Sequence, residues 1–301
     1  MSAVDRKLRQ AYNEAEVIKF DSNSKFVIMS DCHRGQGNSA DNFLPSQNLF
    51  FGALGYYYDS GFTYIELGDG DELWENRKMS TIIDVHSDAF WMMSRFYKEN
   101  RFYMLYGNHD IVKSRKDFTK RHCSGYYCES SDCFLPLFPG LQIPQSLILE
   151  DEEKRRLFLV HGHQGSMLND RLWPLARFLV RYVWRPLELV GFIAPTGAGR
   201  ANQKKEKIEK ELAGFAGKNS EILIAGHTHR PVFPNPGEGY YFNDGSCVHP
   251  RCITAIEIEN GCITLVKWLI TTRPDRSLFV NRQVLEGPVN IASYFNTEQK
   301  T

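Results

Sequence analysis

Short apolar runs that stop at polar, glycine-rich clusters recur along this chain. Residues 26–29 (Phe-Val-Ile-Met), 62–67, 101–106, 146–150, 156–160 and 221–225 are apolar over a strand's length and read as buried strands. Between the first three lie stretches of helical periodicity, at residues 42–58 and 79–98. A surface helix is expected over residues 4–20. The alternation of strand, helix, strand, helix, strand predicts an α/β arrangement. Residues 146–150 and 156–160 read as a hairpin around the charged turn Asp151-Glu152-Glu153-Lys154. Residues 240–242, 252–258 and 262–269 read as three more strands, the last two joined by a tight turn at Glu259-Asn260-Gly261. Residues 111–144 read as irregular, and the tail beyond 273 as peripheral.

Residues 166–220 break this rhythm. At about 100° per residue, Arg177, Arg181 and Arg185 fall in one arc of a helix over 171–193. Trp173, Leu175, Leu179, Tyr182, Val183 and Leu187 fill most of the rest. Such a helix suits an anionic lipid surface. It also suits packing on the body of the protein with its arginines in water. A flexible break at 191–199 and a charged helix over 203–215 follow.

Composition narrows the picture. Hydrophobic residues make up 42% and charged residues 24%, values of a soluble globular chain. Lys plus Arg is 36 and Asp plus Glu is 36, so no nucleic-acid partner is expected from bulk charge. No apolar run reaches the roughly 18 residues that span a bilayer, and residues 1–19 lack the apolar centre of an export signal. The expectation is a cytoplasmic protein, with peripheral contact at the inner membrane face if residues 171–193 lie on lipid. The seven cysteines then stay reduced. The gaps between Cys123, Cys128 and Cys133 are unlike those of structural zinc sites, so they read as loop or core thiols.

The polar clusters carry the chemistry. They are Ser30-Asp31-Cys32-His33, Gly68-Asp69-Gly70-Asp71-Glu72, Gly107-Asn108-His109-Asp110, His161-Gly162-His163 and Gly226-His227-Thr228-His229. Each follows a predicted strand, at the end where open α/β sheets place their sites. Asp31 and His33, two apart, fall on one side of an extended chain. Asp31, His33, Asp69, Asn108, His161, His227 and His229 offer two carboxylates, an amide and four imidazoles. That is too many for one four-coordinate zinc and suits two divalent ions sharing a carboxylate. Oxygen and nitrogen donors without thiolate suit manganese first, with iron, zinc or cobalt as alternatives. Two such ions about 4 Å apart clamp a phosphoryl group and bridge a hydroxide that attacks phosphorus in line. His109 follows a ligand candidate and is the natural general acid, with Asp110 fixing its tautomer. Asp71 or Glu72 supports a ligand from behind. Arg34 either holds a phosphate oxygen or is a solvated loop arginine. His86, inside a helical stretch, reads as packed or surface-exposed.

This series resembles the calcineurin-like metallophosphoesterases, whose pattern is D-x-H, G-D-x-x-[DE], G-N-H-[DE], a later histidine and G-H-x-H. All five segments occur in order, over about residues 26–270. The resemblance implies a four-layer α/β/β/α sandwich, a single domain over 1–301 with residues 166–220 as a helical cap. It implies one metal on Asp31, His33 and His229, another on Asn108, His161 and His227, and Asp69 bridging. His163 falls outside that ligand set and either supports it or faces substrate. Gly226-His227-Thr228-His229-Arg230-Pro231, Asn243-Asp244-Gly245-Ser246 and the insertion are similar to the UDP-2,3-diacylglucosamine diphosphatase branch, whose cap covers acyl chains. That branch has arginine at the place of His109 and aspartate at that of His163. The implied function is hydrolysis of a phosphodiester or pyrophosphate bond in a small nucleotide- or lipid-linked substrate. Alternatives are a protein phosphatase, a cyclic-nucleotide phosphodiesterase and, more remotely, a non-catalytic scaffold.

Overall fold

The computed structural model describes residues 2–128, 132–165, 178, 198–249 and 251–295. The chain runs through α1 (Ala3–Glu14), β1 (Glu16–Lys19), β2 (Phe26–Met29), α2 (Gln47–Asp59), β3 (Thr63–Leu67), α3 (Met79–Val85), α4 (Ser87–Lys98) and β4 (Phe102–Leu105). Then come α5 (Phe118–His122), β5 (Gly125–Cys128), β6 (Cys133–Pro136), β7 (Ser146–Glu150), β8 (Arg156–Val160) and α6 (Ala198–Asn219). It ends with β9 (Ile222–Ala225), β10 (Tyr241–Asn243), β11 (Cys252–Glu259), β12 (Cys262–Thr272), β13 (Leu278–Asn290) and α7 (Ala292–Phe295).

Side-chain alternation along the strands builds the layers. Six strands form one sheet in the order β13-β12-β11-β2-β3-β4, with β2, β3 and β4 parallel. Five form the other, β1-β7-β8-β9-β10, parallel except for the β7–β8 hairpin. Ile28, Ile65 and Leu105 of the first sheet meet Leu147, Leu157, Leu159 and Ile224 of the second in one core. The alternate residues face outward. Val27, Met29, Tyr64 and Met104 pack under Phe50, Leu54, Phe90 and Phe96 of α2 and α4. Ile148, Phe158 and Leu223 pack under Leu8 of α1 and Leu212 and Phe215 of α6. The order is therefore helix, sheet, sheet, helix, as expected. Each fully buried Leu or Ile stabilises it by about 1.5–3 kcal/mol.

Several boundaries differ from the sequence reading. The helix expected over 4–20 stops at Glu14, because Val17 and Ile18 pair in parallel with Ile148 and Leu149. The stretch 79–98 is two helices broken at His86 (φ −109°, ψ 33°). That ring is buried and held by Gln47 and Asp41, both at 2.9 Å, so it is a packed histidine. Residues 111–144 contain α5 and the β5–β6 hairpin. The tail beyond 273 is no appendage: β13 runs antiparallel along β12 and edges the first sheet. The basic-apolar stretch 171–193 lies, but for Phe178, outside the described residues. No described helix is long and apolar enough to cross a membrane.

Candidate metal centre

The C-terminal ends of β2, β3, β4, β8 and β9 meet where the two sheets converge. The loop after β2 stays paired with the loop after β3: the amides of Asp31, His33 and Arg34 donate to the carbonyls of Gly68, Asp69 and Gly70 at 2.9–3.1 Å. Asp31, His33, Asp69, His227 and His229 all adopt left-handed backbone, with φ between 49° and 66°. Non-glycine residues rarely do so, and five together mark a strained, function-bearing turn set. Two glycines make room for the acids. A Cβ on Gly107 would sit 2.1 Å from Asp69 Oδ1, and one on Gly226 2.6 Å from Asp31 Oδ2.

Each acid offers one oxygen to the protein and keeps one for the centre. Asp31 Oδ2 accepts from the His227 amide at 2.8 Å and from Ser30 Oγ. Asp69 Oδ1 accepts from the His109 amide at 2.7 Å. The other oxygens face imidazoles: His229 Nε2 lies 3.0 Å from Asp31 Oδ1, and His161 Nε2 3.1 Å from Asp69 Oδ2. Asp31, His33 and His229 bring their donor atoms within 4.8 Å of one another, as do Asp69, His161 and His227, and likewise His33, Asp69 and His109. Asp31 Oδ1, His33 Nε2, Asn108 Oδ1 and His161 Nε2 are buried and make no hydrogen bond among the described residues. Buried polar atoms are normally paired. Asp31 Oδ1 lies 3.6 Å from His33 Nε2 and 4.0 Å from His161 Nε2, and Asn108 lines the same cleft; such oxygen and imidazole donors fit divalent cations.

The surrounding groups orient these donors. His161 Nδ1 is bonded to the Leu67 carbonyl at 2.9 Å, which turns Nε2 inward. Glu72 Oε2 holds Nδ1 of both His33, at 3.1 Å, and His109, at 2.6 Å. Burial works against a charged His161 ring, but Asp69 and Asp31 outweigh it and push the pKa up to about 9. This is the excess negative charge that a cation would neutralise. Burial and the His161 charge hold His227 down at about 3, so that ring is neutral. The centre opens into a cleft of about 320 Å³ whose wall includes His33, Asp69, Asn108, His109, His227 and His229.

Two assignments from sequence change, and one of the two readings of His163 is favoured. Arg34 cannot reach substrate: it is fully buried, its Nη atoms on Glu66 at 2.7 and 2.8 Å and its Nε on Asp71 at 2.8 Å. Asp110 does not orient His109. Its carboxylate accepts from the Gly107 and Gly70 amides, at 2.7 and 3.1 Å, and pairs with Lys113 at 2.7 Å. Burial raises its pKa. Glu72 takes the orienting place instead. His163 is buried beside His161, ring centroids 5.6 Å apart, and is not on the cleft wall. Burial and the neighbouring histidine charges hold its pKa well below the usual imidazole value. Three contributors had no signal in the sequence. Trp74 stacks on His109 at 4.4 Å. Lys113 joins Asp71, at 2.6 Å, to Asp110. Lys205 of α6 reaches the cleft wall.

The model of the calcineurin-like phosphoesterase family matches residues 24–231. No curated protein matches the chain. Among solved structures it is similar to Vps29 of Chaetomium thermophilum, at 10% identity over 88% of this chain and 96% of that one, with a TM-score of 0.39. It is similar also to Vacuolar Protein Sorting 29 from Cryptosporidium parvum, at 12% identity over 88% and 98%, with a TM-score of 0.38. The family match spans more than half the chain and every residue gathered at the centre, from Asp31 to His229, and on that ground the chain belongs to the calcineurin-like phosphoesterase family.

Proposed function

We propose that this protein is a dimetal hydrolase of a phosphodiester or pyrophosphate bond, with His109 as general acid. The observation that carries the reading is that Asp31 Oδ1, His33 Nε2 and His161 Nε2, buried and without a hydrogen-bond partner among the described residues, lie together beside Asp69, with Asn108 Oδ1 likewise unpaired on the same cleft. Asp31, His33 and His229 would hold one divalent ion and Asn108, His161 and His227 the other, with Asp69 between them. Such ions, manganese first, supply positive charge to the phosphoryl oxygens and acidify water.

The chain's own residues do the rest. The Glu72 carboxylate fixes the His33 and His109 rings through Nδ1, which leaves His109 Nε2 to carry the proton. The His109 side chain is 26% exposed whereas that of His161 is wholly buried. An acid must meet the leaving oxygen, and a ligand need not. Lys205 adds a cation to the cleft wall and suits the non-bridging oxygens of a diphosphate. Together with the resemblance of the Gly226–Pro231 segment to the UDP-2,3-diacylglucosamine diphosphatase branch, this supports a nucleotide- or lipid-linked substrate.

The test is hydrolysis of bis(4-nitrophenyl) phosphate by manganese-loaded protein. Turnover should vanish on chelation and in Asp69→Ala. Absence of metal-dependent turnover across a panel of phosphomonoesters, phosphodiesters and pyrophosphates would overturn the reading.

A further inference from the structure

A second cavity, of about 270 Å³, lies behind the turn that carries Trp74. Its wall includes Arg77, Arg115, Arg121 and His122, with Asp117 as its carboxylate. Leu73 and Phe118 supply apolar surface beside them. This local charge departs from the chain as a whole, which balances 36 cations against 36 anions. Within residues 114–122, Arg115, Lys116, Lys120 and Arg121 are exposed and Asp117 is the sole acid. The Arg121–Asp117 pair, at 2.7 Å, has side chains 70% and 48% exposed, so water screens it. The cavity keeps a surplus of positive charge.

Guanidinium groups gathered around one hollow favour an anion there, and their planar forks match phosphate oxygens two at a time. The hollow has room for a phosphate group and the carbons attached to it. It also shares a wall with the metal centre. The backbone amide and Nδ2 of Asn76, which lines the second cavity, both donate to the Glu72 carbonyl, at 3.1 and 2.9 Å. The Glu72 carboxylate holds His33 and His109 on the other side. Glu75, one residue before Asn76, lines the catalytic cleft. The turn from Glu72 to Arg77 is thus a partition with a cavity on each side.

We propose that this second cavity binds a phosphate group, held by Arg77, Arg115 and Arg121. The group is either the non-scissile phosphate of the substrate, which rests on the hydrolase reading above, or a separate small phosphate that sets the Glu72 turn.

Calorimetric titration of manganese-loaded protein with inorganic phosphate tests the site without reference to turnover. Wild type should take two equivalents, one at the metal centre and one in the cavity. Arg115→Ala/Arg121→Ala should lose the cavity equivalent, its affinity falling by about tenfold or more, and keep the other. Asp69→Ala should show the reverse. Asp117→Asn, which removes the cavity's carboxylate, should tighten the cavity equivalent. A single equivalent in wild type, two that survive the double arginine variant, or weaker cavity binding in Asp117→Asn would each overturn the proposal.

In phosphate-free buffer, hydrolysis of bis(4-nitrophenyl) phosphate, which carries no second phosphate, should be unchanged in the double variant. With 6-phosphohexyl 4-nitrophenyl phosphate, a KM raised about tenfold only in the double variant identifies the substrate's own phosphate. Equal KM values, with the cavity equivalent still lost, identify a separate one. If turnover is absent altogether the hydrolase reading fails, and the phosphate stoichiometry still decides the site.

Discussion

His109 is fixed from three directions. Its Nδ1 meets Glu72 at 2.6 Å, its ring stacks on Trp74 at 4.4 Å, and its amide donates to Asp69 at 2.7 Å. Burial disfavours the charged ring, but the Glu72 and Asp69 carboxylates outweigh it and raise the pKa. The proposed proton donor is removable without dismantling the candidate metal centre, because the Asp69 contact comes from backbone. His109→Ala should therefore lower kcat by about 10²–10⁴-fold while metal analysis of the purified variant still returns wild-type content; loss of metal would make His109 a ligand instead. All seven ligand candidates were legible in the sequence, because each follows an apolar run whose end the fold brings to one place. The neighbours Arg34 and Asp110 were misassigned because sequence proximity does not say which way a side chain turns. His109 and Asp110 are adjacent, yet one lines the cleft and the other is buried against Lys113. Such divergence of neighbours is ordinary in irregular chain, where no fixed period governs.

The loops after β3 and β4 are locked to each other by a charged network whose side chains line neither cavity. Arg34 and Lys113 face Glu66, Asp71 and Asp110, and all five side chains are fully buried. Lys113 spans the two loops, since Asp71 follows β3 and Asp110 follows β4. Lys113→Met would leave the buried Asp110 carboxylate without its cation and Asp71 with Arg34 alone, a loss of about 3–5 kcal/mol in urea denaturation. Lys113→Met/Asp110→Asn should recover part of that, because the amide needs no counter-charge. An additive double variant would show that the two side chains are energetically independent. The elements themselves were legible where periodicity was strong, as in β2, β3, β8 and the β11–β12 hairpin. They were missed where pairing alone decides. β1 is four residues with an exposed face, and β13 holds only half-buried and exposed positions, in runs rather than in alternation. Neither presents the apolar contrast on which a period is read. Both are strands because β7 and β12 offer them backbone partners.

The whole molecule converges on its least comfortable region. Five left-handed ligand candidates cost of order 1–3 kcal/mol each, and four of the buried polar atoms that lack hydrogen bonds among the described residues belong to the same candidate set. These costs sit where the two sheets meet, and the cores between and outside the sheets offset them. A cation that binds the folded centre and not the unfolded chain therefore stabilises the fold as a whole. At a manganese concentration one hundred times its dissociation constant, one site contributes about 2.7 kcal/mol. For a chain of this length that raises the unfolding temperature by roughly 5 °C. Scanning calorimetry with and without manganese should show this rise in wild type. Asp69→Ala removes the carboxylate shared by the two donor sets and should show almost none. Gly107→Ala should behave in the same way, because its methyl would occupy the place of Asp69 Oδ1. A wild-type transition that none of manganese, iron, zinc and cobalt moves would mean that the strain and the orphaned donors belong to the fold alone.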